Sequence, residues 1–298
     1  MTLRLATRRS PLAVLQANFV QARLADAGHE SELVLVETRG DREAHADLAT
    51  IAGQGAFTVE VQRAVLSGEA DVAVHSAKDL PSATPEGLIL ASVPERLDPR
   101  DALIGRSLAG LGPGATVATG SPRRRALLLE RRPDLNVVQL RGNMTRRLAA
   151  VGQGGVDAIV AAVAGMERLD QIDLVSEPLD PSWFVPQVGQ GALALEARVD
   201  DVDTRAALTV INDESLALVL SAERAFLAEL GAGCSIPAGA YGVLDGDTVT
   251  LRGVMLALDG TKSARGELHG TQAEALGRDL ARYLRDELGG GDFVDLAG

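Results

Sequence analysis

At 298 residues, with 46% apolar and 23% charged side chains, the chain is long enough for two or three domains and has the make-up of a soluble globular protein. Its longest uninterrupted apolar run, residues 158–166, is far too short for a membrane helix. A net charge of −12 argues against a surface built as a whole for nucleic acid or anionic membrane.

The chain opens on strand-like Leu3-Arg4-Leu5-Ala6-Thr7 with no apolar signal core ahead of it, so the expected compartment is cytoplasmic. Ser10-Pro11 then starts a helical pattern that runs through Leu24, serine being a natural N-cap and proline a natural first helical residue. A strand-like segment, 33–36, ends at Arg39-Gly40. Residues 41–49 and Gly53-Gln54-Gly55 are polar or glycine-rich, a composition that predicts a mobile lid. The apolar strand at 72–74 leads into His75-Ser76-Ala77-Lys78-Asp79, and residues 94–101 read as a crossing to a second lobe.

There the pattern repeats. Thr116-Val117-Ala118-Thr119 precedes Ser121-Pro122, a helical stretch to Arg131, strand-like 137–140 and Arg141-Gly142; residues 155–160 then match 69–74. Strands alternating with helices predict parallel βαβ units, and two copies predict two related α/β lobes facing a cleft. Residues 178–186 read as the return, with 192–196 as a strand rejoining the first lobe. A smaller α+β unit starts near Asn212, with a helix over 215–230, strands within 248–258 and an amphipathic helix over 271–288. The expected domains are 1–95 with 190–211 as lobe 1, 96–189 as lobe 2, and 212–298 as a C-terminal domain. Cys234, the single cysteine, lies in Gly231-Ala232-Gly233-Cys234-Ser235 of that domain. It excludes an internal disulfide and leaves packing or chemistry as its use.

Between Ser121 and Arg147 eight arginines stand against Glu130 and Asp134, a focused anion site in an acidic chain. Ser121-Pro122-Arg123-Arg124 puts two guanidinium groups in a first helical turn, where free N–H groups already favour anions. Guanidinium adds bidentate recognition of carboxylate or phosphate. Ser10 with Arg8 and Arg9 repeats the arrangement, and Arg141-Gly142-Asn143 and Arg147 stand just past a strand end, where open α/β sheets bind ligands. Asp79 ends a strand beside Lys78. It reads equally as half of a structural ion pair or as a group that stabilises a cationic intermediate and shuttles protons. The four histidines, 29, 45, 75 and 269, lack metal-ligand spacing, and no metal is expected. Neither Gly53-Gln54-Gly55 nor Gly189-Gln190-Gly191 has dinucleotide-fingerprint spacing. Two other readings stay open on these residues: a non-catalytic solute binder, and an arginine-dependent nucleic-acid binder, which the charge and the 3% aromatic content oppose.

Six segments occur in a telling order: Ala6-Thr7-Arg8-Arg9-Ser10-Pro11-Leu12-Ala13, Val74-His75-Ser76-Ala77-Lys78-Asp79-Leu80-Pro81, Leu140-Arg141-Gly142-Asn143, Ala162-Val163-Ala164-Gly165, Val188-Gly189-Gln190-Gly191-Ala192 and Gly233-Cys234. Together they resemble the porphobilinogen deaminase (hydroxymethylbilane synthase) family, from Leu3 to about Gly242. The resemblance implies an α/β fold of two periplasmic-binding-protein-like lobes with an interlobe cleft, plus a small C-terminal α+β domain carrying the cofactor cysteine. It implies a transferase that condenses four porphobilinogen molecules, with loss of ammonia, on a covalent dipyrromethane primer, and releases a linear tetrapyrrole. Residue by residue, Cys234 matches the thioether anchor and Asp79 the catalytic aspartate. Lys78, Ser121, Arg123 and Arg124 match cofactor contacts; Arg8, Ser10, Arg147 and Arg168 match substrate contacts, and Phe57 a lid residue. The implied partner is porphobilinogen alone, without nucleic acid or membrane, and the implied state a monomer. Gln54, Gly120 and Pro122 depart from the family's usual residues, and the resemblance assigns no role to Arg146.

Overall fold

The computed structural model describes residues 2–38, 57–140, 142–231 and 236–294. The predicted lid and Cys234 therefore lie outside the described residues, as does Arg141. The chain begins with β1 (Leu3–Arg8), α1 (Pro11–Asp26), β2 (Ser31–Val36), α2 (Val59–Leu66), β3 (Val72–Ser76) and β4 (Leu88–Ser92). It continues with β5 (Asp101–Ile104), β6 (Thr116–Ala118), α3 (Pro122–Arg131), β7 (Asn136–Val138), α4 (Met144–Ala149), β8 (Ala158–Ala162), α5 (Val163–Arg168) and β9 (Val175–Pro178). The last third holds β10 (Leu193–Arg198), α6 (Val202–Thr209), α7 (Glu214–Glu229), β11 (Ala238–Asp245), β12 (Thr248–Leu256), β13 (Ser263–Gly270) and α8 (Ala273–Arg282).

Both predicted helix starts form as their residues dictate. Ser10 caps α1 by accepting the Ala13 N–H, Ser121 caps α3 by accepting the Arg124 N–H, and a proline takes the first helical position in each. Two of the family departures find local reasons here. Pro122 is that first helical residue of α3, and a Cβ on residue 120 would lie 2.8 Å from the Leu140 carbonyl oxygen, so the close strand approach requires Gly120.

The chain divides into two compact units, Met1–Leu97 with Gly191–Ala217, and Asp98–Gln190 with Leu218–Gly298. Unit 1 is built on a five-stranded sheet in the order β2-β1-β3-β10-β4. β1 runs parallel to β2 and β3, whereas β10 is antiparallel to β3 and β4. Alternation sends Leu5, Val72, Val74, Leu193 and Leu195 into one apolar cluster with α1, and Ala6 and Ala73 into another with Val61 and Val65 of α2. Unit 2 has the sheet β7-β6-β8-β5-β9, with β6 parallel to β7 and β8, and β5 antiparallel to β8 and β9. Strand for strand this is the order of unit 1, so the sequence repeat is a repeat of topology. The helices between its parallel strands supply the crossovers that parallel pairing needs.

Unit 1 resumes at Gly191, after the connecting stretch 178–186. Pro178 still pairs with Ala102, and Phe184 and Val185 are buried with Leu103 and Leu127, so that stretch is anchored in unit 2. The strand expected at 192–196 does rejoin unit 1, as β10.

Unit 2 also contains the antiparallel sheet β11-β12-β13, packed with Phe226 of α7 and Leu280 of α8. Val254 and Leu256 of β12 enter the same cluster as Leu103, Leu127 and Phe184, which is why this sheet belongs to unit 2. α8 ends at Arg282 and continues as one wide turn, Tyr283–Glu287, in place of the single long helix expected over 271–288. No described helix is long and apolar enough to cross a membrane.

Candidate active site

In unit 1 the site grows from two neighbouring strand ends. β1 finishes at Arg8 and turns through Ser10 into α1; β3 finishes at Ser76 and turns through a short 3-10 segment, Ala77–Asp79. Arg8, Ser10, Phe57, Ser76, His75 and Asp79 line one pocket there, with Gln16 of α1. The Arg8 guanidinium lies over the Phe57 ring at 4.1 Å, a cation–π contact that steadies an otherwise floppy side chain. Gln16 donates from Nε2 to Ser76 Oγ at 2.7 Å. Lys78 stands in the same turn as Asp79, and both are half-buried. His75 Nε2 lies 3.2 Å from Glu196 Oε2, and both side chains are buried.

In unit 2 the site is a buried charge cluster. Arg123 and Arg124 point inward from the first turn of α3 and are 2% and 6% exposed, not the solvent-facing pair that helix position alone suggests. Arg123 donates to Asp101 Oδ2 at 2.8 Å and to the Val185 carbonyl at 2.5 Å. Arg124 donates to Asp101 Oδ1 at 2.9 Å, to the Val160 carbonyl at 3.1 Å and to Gln190 Oε1 at 3.3 Å. Gln190 in turn donates to Asp101 Oδ1 at 2.9 Å and to the Pro99 carbonyl at 2.7 Å. Burial by itself would push the Asp101 carboxyl up. The two guanidinium charges, with hydrogen bonds from Arg123 and Gln190, outweigh it and hold the group at about 2. Burial likewise pulls Arg123 down from the usual guanidinium value, against the attraction of Asp101.

Two guanidinium groups against one carboxylate leave a surplus positive charge in a dry interior. A surplus of this kind is costly alone and suits one added anion. The remaining predicted cations follow the next parallel strands. Arg147 in α4 is half-buried and donates from Nε to the Gly142 carbonyl at 2.8 Å, and Arg168 ends α5. Asn143 caps α4 through the Arg146 N–H. Among the described residues no cluster of His, Cys, Asp and Glu could hold a metal.

Sequence reasoning missed Asp101 and Glu196, and gave no role to Gln190 and His75 although both stood within its motifs. Gln190 was visible as the polar centre of Gly189-Gln190-Gly191. Asp101 was visible as a carboxylate opening the apolar run Ala102-Leu103-Ile104, a place where only a buried partner makes sense.

The model of the porphobilinogen deaminase dipyrromethane cofactor-binding domain matches residues 3–206, and that of the porphobilinogen deaminase C-terminal domain matches 217–286. The chain belongs to the porphobilinogen deaminase family. Porphobilinogen deaminases of Trichlorobacter lovleyi and Geobacter sulfurreducens are 42% and 43% identical to it, over 95% of this chain and 92% and 91% of theirs. That of Syntrophus aciditrophicus is 42% identical over 98% of this chain and 97% of its own. A nutrient-binding protein from Burkholderia cenocepacia, solved with methionine, overlaps 71% of this chain and 92% of its own, at 13% identity and a TM-score of 0.45. As a porphobilinogen deaminase family member the chain is a transferase of tetrapyrrole synthesis with a dipyrromethane cofactor.

Proposed function

We propose that Asp79 is the catalytic carboxylate of this transferase and that Cys234 anchors the dipyrromethane by a thioether. Lys78, Ser121, Arg123 and Arg124 hold the cofactor's carboxylates. Arg8, Ser10, Arg147 and Arg168 hold those of porphobilinogen, and Phe57 borders the lid. The observation that carries this reading is the grouping of Asp79 with Arg8, Ser10 and Phe57 around one pocket. The surplus positive charge of the Asp101–Arg123–Arg124 cluster supports the carboxylate-holding role.

When bound, the dipyrromethane would supply the free terminal pyrrole carbon that takes the first porphobilinogen, each added ring then presenting the carbon for the next. Porphobilinogen brings an acetate and a propionate, so the arginines fix its orientation through paired N–H donors. Asp79 accepts pyrrole N–H hydrogen bonds and opposes the positive charge that develops as ammonia leaves. It then takes the proton that the pyrrole carbon gives up. Arg123 and Arg124 are already held by Asp101, Gln190 and two carbonyls, so they need little reorganisation on binding.

The division into 1–95 with 190–211, 96–189 and 212–298 is our functional reading of the domains, supported by three separate sheets. The enzyme works as a cytoplasmic monomer without a nucleic-acid partner, a reading supported by its charge of −12.

Denatured intact-mass measurement of the wild-type protein and of Cys234→Ala, each after incubation with porphobilinogen, tests this assignment. The expected result is a covalent excess of one dipyrromethane on the wild type and none on the variant. An equal excess on both would remove Cys234 as the anchor.

A further inference from the structure

One buried carboxylate of unit 2 has no part in the roles above. Glu223 lies in the second half of α7 and is fully buried. Each of its oxygens accepts from a backbone N–H: Oε2 from Gly189 at 2.7 Å, Oε1 from Gly242 of β11 at 2.9 Å. A dry carboxylate is costly to place unless its oxygens are satisfied, and here both are spent on holding other segments of the chain.

The first of these segments is the turn that ends in Gln190. The Gln190 N–H donates to the Gln187 carbonyl at 2.9 Å and closes the turn, while Gly189 takes a φ of 71° that favours glycine. Val188 packs in one apolar cluster with Ala222 and Phe226, which stand beside Glu223 on α7. The turn is thus fastened to α7 twice, by Val188 in the cluster and by the Gly189 N–H on Glu223. Gln190 comes next in the chain, and its buried side chain reaches Asp101 Oδ1, the Pro99 carbonyl and Arg124. A path of direct bonds therefore runs from Glu223, through Gly189 and Gln190, to the arginine pair. β11, the other segment that Glu223 holds, meets Arg123: a Cβ at Gly239 would lie 2.9 Å from Arg123 Cδ.

In chain order α7 precedes Cys234 and β11 follows it. One carboxylate accordingly ties both elements that flank the cysteine to the turn that carries Gln190. We infer that Glu223 is a positioning residue for the carboxylate-holding arginines. It fixes the turn from Gln187 to Gln190, and Gln190 then aims the Arg124 guanidinium. The demand on aim is steep, since a misplacement of about 1 Å can cost roughly 100-fold in rate.

The inference rests on the reading that Arg124 holds a cofactor carboxylate, and the experiment separates the two. Full-length protein made without porphobilinogen is mixed with it, and covalent mass gain is followed in time. The variants are Glu223→Gln, Gln190→Met, their double variant and Arg124→Gln, with kcat/KM of the loaded enzyme and melting measured alongside. Glu223→Gln keeps the side chain's shape but turns an amide donor toward one of the two N–H groups. Mass gain slows about tenfold in Glu223→Gln and in Gln190→Met. The double variant matches Gln190→Met within about twofold, because the two residues act along one path. Multiplied losses in the double variant overturn the inference, as does a Glu223→Gln protein that melts earlier yet loads and turns over as wild type. If Glu223→Gln folds poorly, wild-type loading by Gln190→Met alone overturns it. Wild-type loading by Arg124→Gln removes the reading beneath it.

Discussion

Asp101 is the residue on which the arginine pair depends. It is fully buried and takes a guanidinium on each oxygen, so Asp101→Asn leaves two interior cations short of their counter-charge. Breaking a buried pair this way costs about 3–5 kcal/mol, which urea unfolding at pH 7 would read. The effect has a defined pH window. The folded-state value of about 2 lies below the ordinary 3.8, so the carboxylate's stabilisation is fully present above about pH 4 and is lost as pH falls toward 2. The stability gap between wild type and Asp101→Asn is expected to close over that interval. A gap unchanged at pH 2 would show that the ionised pair is not its source. At Asp79 the expectation is different in kind: Asp79→Asn keeps the covalent mass excess and the fold, while kcat drops by roughly 100-fold or more. Unchanged melting with collapsed kcat would mark a residue whose role is chemical.

At the scale of elements, the two serine caps combine a structural and a ligand-facing role that substitution can separate. Ser121 accepts the Arg124 N–H, and Ser121→Ala should cost about 1 kcal/mol of stability. Ser121→Asp keeps a good cap but sets a negative charge at the start of α3, where the proposed cofactor carboxylate binds. Chemical denaturation and intact mass together read the outcome. The alanine variant loses stability, and the aspartate variant retains it but fails to load cofactor. Equal loading of the aspartate variant would detach Ser121 from cofactor binding. The strand ends work with these caps. In both units the helix that follows the first parallel strand begins at a serine beside arginines, so one βαβ design delivers cations twice.

At the scale of the molecule, unit 2 joins an α/β sheet and an antiparallel sheet through few but demanding contacts. Val254 and Leu256 are fully buried in a cluster with Leu103 and Phe184. Arg265 pairs with Glu130 and donates to the Trp183 carbonyl at 3.0 Å. Gly239 leaves no room for a Cβ, which would sit 2.5 Å from the Pro186 carbonyl oxygen and 2.9 Å from Arg123 Cδ. The two sheets of unit 2 are therefore expected to unfold together. Leu256→Ala should cost about 2–5 kcal/mol and should weaken amide protection in β5 and β8 as well as in β12, leaving β1 and β3 of unit 1 protected. Loss of protection confined to β11–β13 would show the antiparallel sheet to be independent.

The sequence by itself determined what depends on near neighbours. A serine cap reaches only three residues ahead, apolar periodicity needs only a few turns or strands, and both copies of the βαβ pattern and the family motifs were legible on those terms. It determined Asp79, Arg8 and Ser10 as candidates that the structure brings to one pocket. Tertiary structure alone decided what those candidates touch. Arg124 meets Gln190 across 66 positions, and Gln62 meets Glu196 across 134, contacts fixed by strand order and register that no local pattern encodes. β11 went unread for the same reason. Its Ala238-Gly239-Ala240-Tyr241-Gly242 lacks the β-branched residues that mark a strand, because Arg123 and Pro186 press against it from elsewhere in the fold. Local chemistry writes the elements into the sequence, but which polar groups end up dry, and opposite which partner, is settled only when the sheets close over them.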